Sequence, residues 1–347
     1  PAELLTEPFL KRWSHVMTGE DGRDGGSLLF FGLNEPLPIQ NVSRNYPSAT
    51  AVALLARKRD VQHIDGDKPF WWEFPIWVAH GAIDSVGIAN SHQLRNGMVD
   101  NEAWGKPRDK TAFPFKKDNG AWSVDLYYRL LNCGVRLPPS AGSGSGVAHN
   151  PVGYNRVYVQ SAPYVSNLDD FTYADWWRGL KEGRVIITNG PMLRPKFNGK
   201  YPGEVFTAPA GETFEIETTA DLATRDKILY FELIKDGRVA ATVQLAKWVE
   251  QGGKLPKVAF TESGWMAVRV IAENSKTYRF AMSGPVYVDL GGKPRISKRD
   301  ASFFLEWAKE AKSRLKIVDP RHRTNTEAIY DRAIAFWEEK VSSATAD

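Results

Sequence analysis

The chain has 347 residues, 42% of them apolar and 25% charged, the balance of a globular protein with room for two domains. Forty-five basic side chains stand against 41 acidic ones, a net charge of +4, too even for the concentrated basic face of a nucleic-acid reader. A single cysteine, Cys133, excludes an intrachain disulfide and a cysteine-built zinc site, and no apolar run approaches the roughly 18 residues of a membrane span.

Residues 1–190 read as alternating strands and helices. The run 27–33 (SLLFFGL) is a buried strand, and 48–59 has helical spacing through Ala51, Leu54 and Leu55. A strand at 86–89 follows Asp84, and Ser123 caps a helix that stops at Gly134. A strand at 155–160, a helix at 173–182 ended by Gly183, and a strand at 185–188 complete this part, closed by the turn Asn189-Gly190-Pro191. Such alternation predicts parallel α/β construction with chemistry at the strand C-terminal ends. Residues 191–293 carry short strands at 214–218, 228–234, 240–245, 258–261, 265–272 and 286–290, with Asp236-Gly237 as a hairpin turn. This part reads as an antiparallel β-sandwich. Residues 294–347 form two helices, one starting at Ser297-x-x-Asp300 and one at the capping box Thr324-x-x-Glu327, whose aromatic stripes are packing faces.

Several residue groups could carry chemistry. Glu20, next to Asp21, lies in a loop before the first strand, where solvated carboxylates are ordinary. In His63-Ile64-Asp65-Gly66-Asp67 an extended backbone would put His63, Asp65 and Asp67 on one face. Imidazole and carboxylate suit Zn, Mn or Fe, singly or as a two-metal pair, although an Asp-Gly turn with a surface histidine is the commoner reading of such a run. His92 follows the 86–89 strand and could ligate metal or donate a proton. His15 and His149 are weaker candidates. Lys68 and Arg108 could hold an anionic substrate, and Trp72 and Trp104 belong to a tryptophan set that either packs the core or stacks a ring. Neither a Gly-Lys-Ser/Thr phosphate loop nor a Gly-x-Ser-x-Gly elbow occurs.

Residues 131–159, LNCGVRLPPSAGSGSGVAHNPVGYNRVYV, together with HIDGDKPFWWEFP, NEAWGKPRD and GRVIITNGP, resemble the PHP (polymerase and histidinol phosphatase) metallohydrolases, in the branch like carbaryl hydrolase. The resemblance implies a distorted (β/α)7 barrel over 1–190, incomplete at its N terminus because the opening His-x-His element is absent and would stand upstream of Pro1. It further implies a β-sandwich and terminal helices, and one or two divalent transition metals. The metal would be held by Glu20, His63, Asp65, Asp67 and His92, with Glu20 and His92 catalytic. Lys68, Arg108, Trp72 and Trp104 would bind the substrate. Metal-activated water would then hydrolyse a carboxyl ester, carbamate or phosphoester.

The chain departs from that pattern in three places. Lys68 stands where many members have the histidine of His-Pro, Gly87 stands near an acidic position, and Gly144 and Gly146 replace the Asp and His of a closing A-G-S-D-A-H loop. The alternative is a catalytically degenerate relative that binds a small molecule or glycan in a Trp-rich cleft. A structural component docking through the sandwich, with homo-oligomer assembly there, is a third reading. No nucleic acid and no transmembrane segment are expected, and the location is expected to be extracytoplasmic, periplasmic or secreted.

Overall fold

The computed structural model describes residues 17–39, 43–146, 148–160, 170 and 172–347; His15 lies outside them. The first part contains β1 (Met17–Arg23), β2 (Gly26–Leu33), α1 (Ala49–Arg57), β3 (His63–Gly66), α2 (Phe74–Ala79), β4 (Ser85–Ala89), a ribbon of β5 (Gln93–Leu94) and β6 (Gly97–Met98), α3 (Asp118–Asn132), β7 (Pro139–Ala141), β8 (Arg156–Val159), α4 (Tyr173–Lys181) and β9 (Val185–Thr188). Five of these strands form a sheet in the order β1-β2-β3-β4-β7. β1, β2 and β3 pair antiparallel, whereas β3, β4 and β7 are parallel. The expected parallel construction thus holds for only half of the sheet, and among the described residues no sheet closes into a barrel.

Alternation assigns the two faces of this sheet. Leu28, Phe30, Ile64, Val86 and Ile88 are buried in a core shared with α1, α2, α3 and the terminal helices. The opposite face carries Glu20, Leu29, Asp65 and Ser85, which are successive cross-strand partners. Glu20 therefore sits in a strand, not a loop; the Met17–Arg23 stretch has no apolar side to announce it.

The second part contains β10 (Met192–Phe197), β11 (Val205–Ala208), β12 (Phe214–Ala223), β13 (Ile228–Lys235), β14 (Arg238–Gln244), α5 (Leu245–Glu250), β15 (Lys254–Phe260), β16 (Gly264–Ala272), β17 (Phe280–Ser283) and β18 (Val286–Leu290). A three-stranded sheet, β10-β12-β15, faces a larger one in the order β11-β18-β16-β17-β9-β8, with β13 and β14 branching from β16. Leu193, Phe197, Ile216 and Phe260 from one sheet meet Phe231, Leu233, Val268 and Val270 from the other in a second core, so this part is a β-sandwich. The turn at Asn189-Gly190 does not coincide with a break in hydrogen bonding. β8 and β9, which precede it, belong to the sandwich sheet through pairing of β9 with β17.

Two helices end the chain, α6 (Lys298–Ser313) and α7 (Pro320–Ser342). Ser297 caps α6 through Asp300 N, as expected. The second helix begins before Thr324, because Asp319 accepts from the N–H groups of Arg321 and His322 and Pro320 is pre-set for a first turn. Thr324 instead donates to Pro320 O. Likewise α3 starts ahead of Ser123, whose hydroxyl donates to Asn119 O within the helix. Trp337 Nε1 donates to Pro75 O, and His80, at the end of α2, meets Ile329 O at 2.8 Å, so α7 is locked onto the α/β core. No helix among the described residues is long and apolar enough to cross a membrane.

Candidate functional site

The sheet separates the sequence-level candidates into two polar groups and one cleft. His63 and Asp65 share a face, as period-2 geometry requires, and both reach Ser85. His63 Nε2 lies 2.7 Å from Ser85 Oγ, which donates to Asp65 Oδ1 at 2.5 Å; Ser140 Oγ also donates to that oxygen. All four side chains are buried. Since Ser85 spends its proton on Asp65, Nε2 of His63 carries the hydrogen in that contact. Phe31 and Trp177 flank the imidazole, Trp177 at 4.7 Å between ring centroids. Burial pulls the His63 pKa down to about 4, against the Asp84 carboxylate that raises it. Burial pushes Asp65 up to about 6, opposed by the hydroxyls of Ser140 and Ser85.

The group superficially suggests a serine nucleophile with His63 as base, since His63 Nδ1 lies 3.9 Å from Asp84 Oδ2. That distance exceeds a hydrogen bond, Asp84 is already engaged by Ile64 N and Arg57, and Ser85 is fully buried. Nucleophilic chemistry has no access here.

The second group lies past the C-terminal ends of β3 and β4. Lys68 is buried and ion-paired with Asp67, and its ammonium sits 4.8 Å from the Trp71 ring centroid. His92 packs on Phe70 at 5.2 Å. Its pKa falls to about 4 through burial and then the Lys68 charge, with Asp67 acting in the opposite sense. Asn90 accepts from His92 N at 3.1 Å and donates to Gly87 O. Asn155 ties Asn90 O and Gln93 O to the 141–146 loop, where Ser143 donates to Asn155 O and Asn150 donates to Ser143 O. These amides fasten the loop to the end of β4. The signal for Asn150 and Asn155 in the sequence was their place in the NPVGYN run.

A resident metal is tested by this geometry. His63 and Asp67 are four positions apart on one extended segment, about 13 Å at strand rise. Glu20 is two strands from Asp65, about 10 Å at strand spacing, and its exposed carboxylate accepts from Ser27 at 3.2 Å. Among the described residues no group of three or more His, Cys, Asp or Glu is placed to hold a metal. The Lys68 ammonium neutralises the carboxylate nearest His92. Glu20, His63, Asp65, Asp67 and His92 are thus spread over the sheet face, and as described they do not fit a shared ion. The glycines deepen this. A Cβ on Gly87 would lie 2.1 Å from Asp67 O, and one on Gly144, where φ is +58°, would lie 2.6 Å from Ser91 Cβ. Neither position has room for a ligating side chain.

Arg108 is also committed. Its guanidinium pairs with Glu102 and Asp100, and Nε donates to Phe113 O at 3.1 Å. All of this happens in the interior of the 99–113 loop, and the buried side chain presents no surface to a substrate. The charge pattern Asp100, Glu102, Arg108 was a readable signal for such a pairing. His149 is exposed and His322 stacks on Tyr46.

Trp72 and Trp104 do come together, in a cleft of about 630 Å³. Its walls are the β1–β2 turn at Asp24 and Gly25, the segment around Arg44, the 103–107 loop, and the end of α6 from Glu310 through Lys316. Trp104 is 54% exposed and stacks on Trp71 at 6.2 Å. Lys106 pairs with Glu310 at 2.7 Å and lies 5.8 Å from the Trp72 ring, pinning the loop to α6. Arg44 and Arg314 sit 4.8 Å from Trp104 and 4.0 Å from Trp72, respectively. Arg44 and Arg314 were absent from the sequence-level candidates; Arg314 arrives from the far end of the chain and carries no local signal.

No family model and no curated protein matches the chain. Among solved structures, fibronectin(III)-like modules of Clostridium thermocellum CbhA are similar over 28% of this chain and 97% of theirs, at 16% identity and a TM-score of 0.19, a likeness too slight to carry an argument.

Proposed function

We propose that this chain is a PHP-like relative whose former metal face has been closed, and that it binds a small molecule or glycan-like ring through the Trp72/Trp104 cleft without metal-driven turnover. The observation that carries this reading is the cleft itself. It gathers two tryptophans from separate segments into one concave surface: Trp72 is buried in the wall beneath Arg314, and Trp104 is 54% exposed, backed by Trp71 and with only the exposed Arg44 over its ring, so that a ring displacing Arg44 could stack there. The Lys68–Asp67 pair supports the other half, because a fixed ammonium supplies the positive charge at the end of β3. The test is calorimetric titration of the protein with phenyl glycosides. Trp104→Ala should weaken binding at least about tenfold, as losing a stacked ring does, while far-ultraviolet circular dichroism stays unchanged. Binding that is indifferent to Trp104 would refute the assignment.

A second reading, a metal-dependent hydrolase of ester-type bonds, has one observation in its favour. Nδ1 of His63 and Nδ1 of His92 are both buried without a hydrogen-bond partner, and both rings are held neutral, so each offers a lone pair. The two nitrogens belong to opposite ends of the polar face, which favours the binding reading over this one.

A further inference from the structure

We infer that the ligand of the Trp72/Trp104 cleft is anionic: a sugar or aromatic ring bearing a carboxylate or a similar oxyanion. This rests on the cleft-binding reading above and specifies its chemistry.

The inference comes from charge left over after pairing. Of the ionisable groups along the cleft, Arg23 is buried against Asp21 and donates to Ser43 O and Pro47 O. Arg44 pairs with Asp24 at 2.9 Å, and Glu310 with Lys106. Glu73 is buried and accepts from both the N–H and the hydroxyl of Thr50. Arg314 and Lys316 remain. Both are exposed at the end of α6, and among the described residues neither has a carboxylate within ion-pair distance. Against these two exposed cations stands one carboxylate without a cationic partner among the described residues, the buried Glu73, so the cleft keeps a net positive charge, and it sits at the exposed mouth.

Placement makes that charge usable. Arg314 does not float in solvent; its guanidinium rests 4.0 Å from the Trp72 ring centroid, a planar cation on an indole face. Arg44 is held in the same manner on Trp104 across the opening. A guanidinium held on a ring has lost part of its freedom already, and its outward N–H fork matches a carboxylate in bidentate geometry. A ligand ring on the solvent side of Trp104, displacing or covering the exposed Arg44, would direct a ring substituent toward Arg314 and Lys316. A neutral ring would use the stacking surface and leave both cations unanswered.

Phenyl β-D-glucuronide and phenyl β-D-glucoside differ only at C6, a carboxylate in one and a neutral hydroxymethyl in the other, so titrating the intact chain with each isolates the charge. The glucuronide is expected to bind at least about tenfold more tightly, the worth of a charge-assisted hydrogen bond. That preference should vanish in the double variant Arg314→Gln, Lys316→Gln, and shrink as salt is raised. Both positions are exposed, and unchanged circular dichroism would confirm folding. Equal affinity for the two glycosides would overturn the anionic class and leave the cleft reading standing. Absence of binding by either would overturn both. Displacement of the glucuronide by inorganic phosphate at equal concentration would show that a bare anion suffices, and would overturn the ring-bearing class.

Discussion

Asp65→Asn is the substitution that separates a closed polar face from a metal centre. The carboxyl is enclosed by the sheet, with Ser85 and Ser140 donating to one oxygen, and burial raises its pKa from 3.8 to about 6. Between those values the native state retains a proton that the unfolded chain has released. The group therefore favours the fold at low pH, and its contribution is lost as pH rises through about 6. Above that point the ionised carboxylate costs about 3 kcal/mol, at roughly 1.36 kcal/mol per unit of pKa. Asparagine imitates the protonated acid: it keeps an acceptor for the two hydroxyls and removes the charge, while its amide nitrogen lacks an assured partner, a loss of about 1 kcal/mol. The variant should gain about 2 kcal/mol over the parent at pH 7 and lose about 0.5 kcal/mol at pH 4, where the parent carboxyl is largely protonated and the unpartnered amide outweighs the charge cost that remains. Urea unfolding followed by tryptophan fluorescence at both values measures this. A loss of stability at pH 7 would refute the reasoning, because it would mean that a cation already compensates the carboxylate, and it would restore the metal reading.

Two further substitutions probe the same face. Lys68→Met removes the buried ammonium and leaves Asp67 unpaired in the interior, so it should destabilise by about 3 kcal/mol; a thermal midpoint equal to that of the parent would show that Asp67 is solvated and that the pair does no stabilising work. Gly87→Ala should lower stability by about 3 kcal/mol, since the new methyl meets the backbone carbonyl of Asp67 and overpacking is relieved only by moving β3 or β4. An unperturbed melting curve would show that residue 67 and β4 can part at little cost and would refute the close packing as a constraint.

Much of the fold was legible because period and punctuation agree with burial. The apolar runs of β2 and β9, the Asp236-Gly237 hairpin and the Ser297 cap all lie where local chemistry puts them. The failures have local causes too. β1 reads MTGEDGR and could not be seen as a strand, because its pairing with β2 is set by register and not by an apolar stripe. The start of α7 was displaced because Asp319-Pro320 forms a better cap than Thr324. In the site, Trp72 and Trp104 were read as either core packing or a stacking surface, and the structure divides them, Trp72 buried and Trp104 exposed, whereas Ser85 and Ser140 matter only through the carboxylate they share. Arg314 is out of reach of any local pattern, since α6 brings it to Trp72 from more than two hundred positions away.

Gly87 and Lys68, two of the departures from the resembled pattern, belong to one arrangement. Without a side chain at Gly87, the Asp67 carbonyl can lie against β4; this fixes residues 66–68 close to the sheet and leaves Lys68 paired with Asp67 and resting on Trp71. Gly144 lets the 141–146 loop approach Ser91 in the same way. A side chain at Gly87 would collide with the Asp67 carbonyl and one at Gly144 with Ser91, whereas the space around Gly146 is open. The segment that closes this face also builds the other site. Immediately after Lys68, the turn through Pro69 and Phe70 delivers Trp71 as backing for Trp104 and Trp72 as a cleft wall, and then Glu73, which accepts from Thr50 at the start of α1. Seven consecutive residues, Asp67 to Glu73, fill the polar face on one side and shape the aromatic cleft on the other. Any change that reopened the first would shift the tryptophans that make the second.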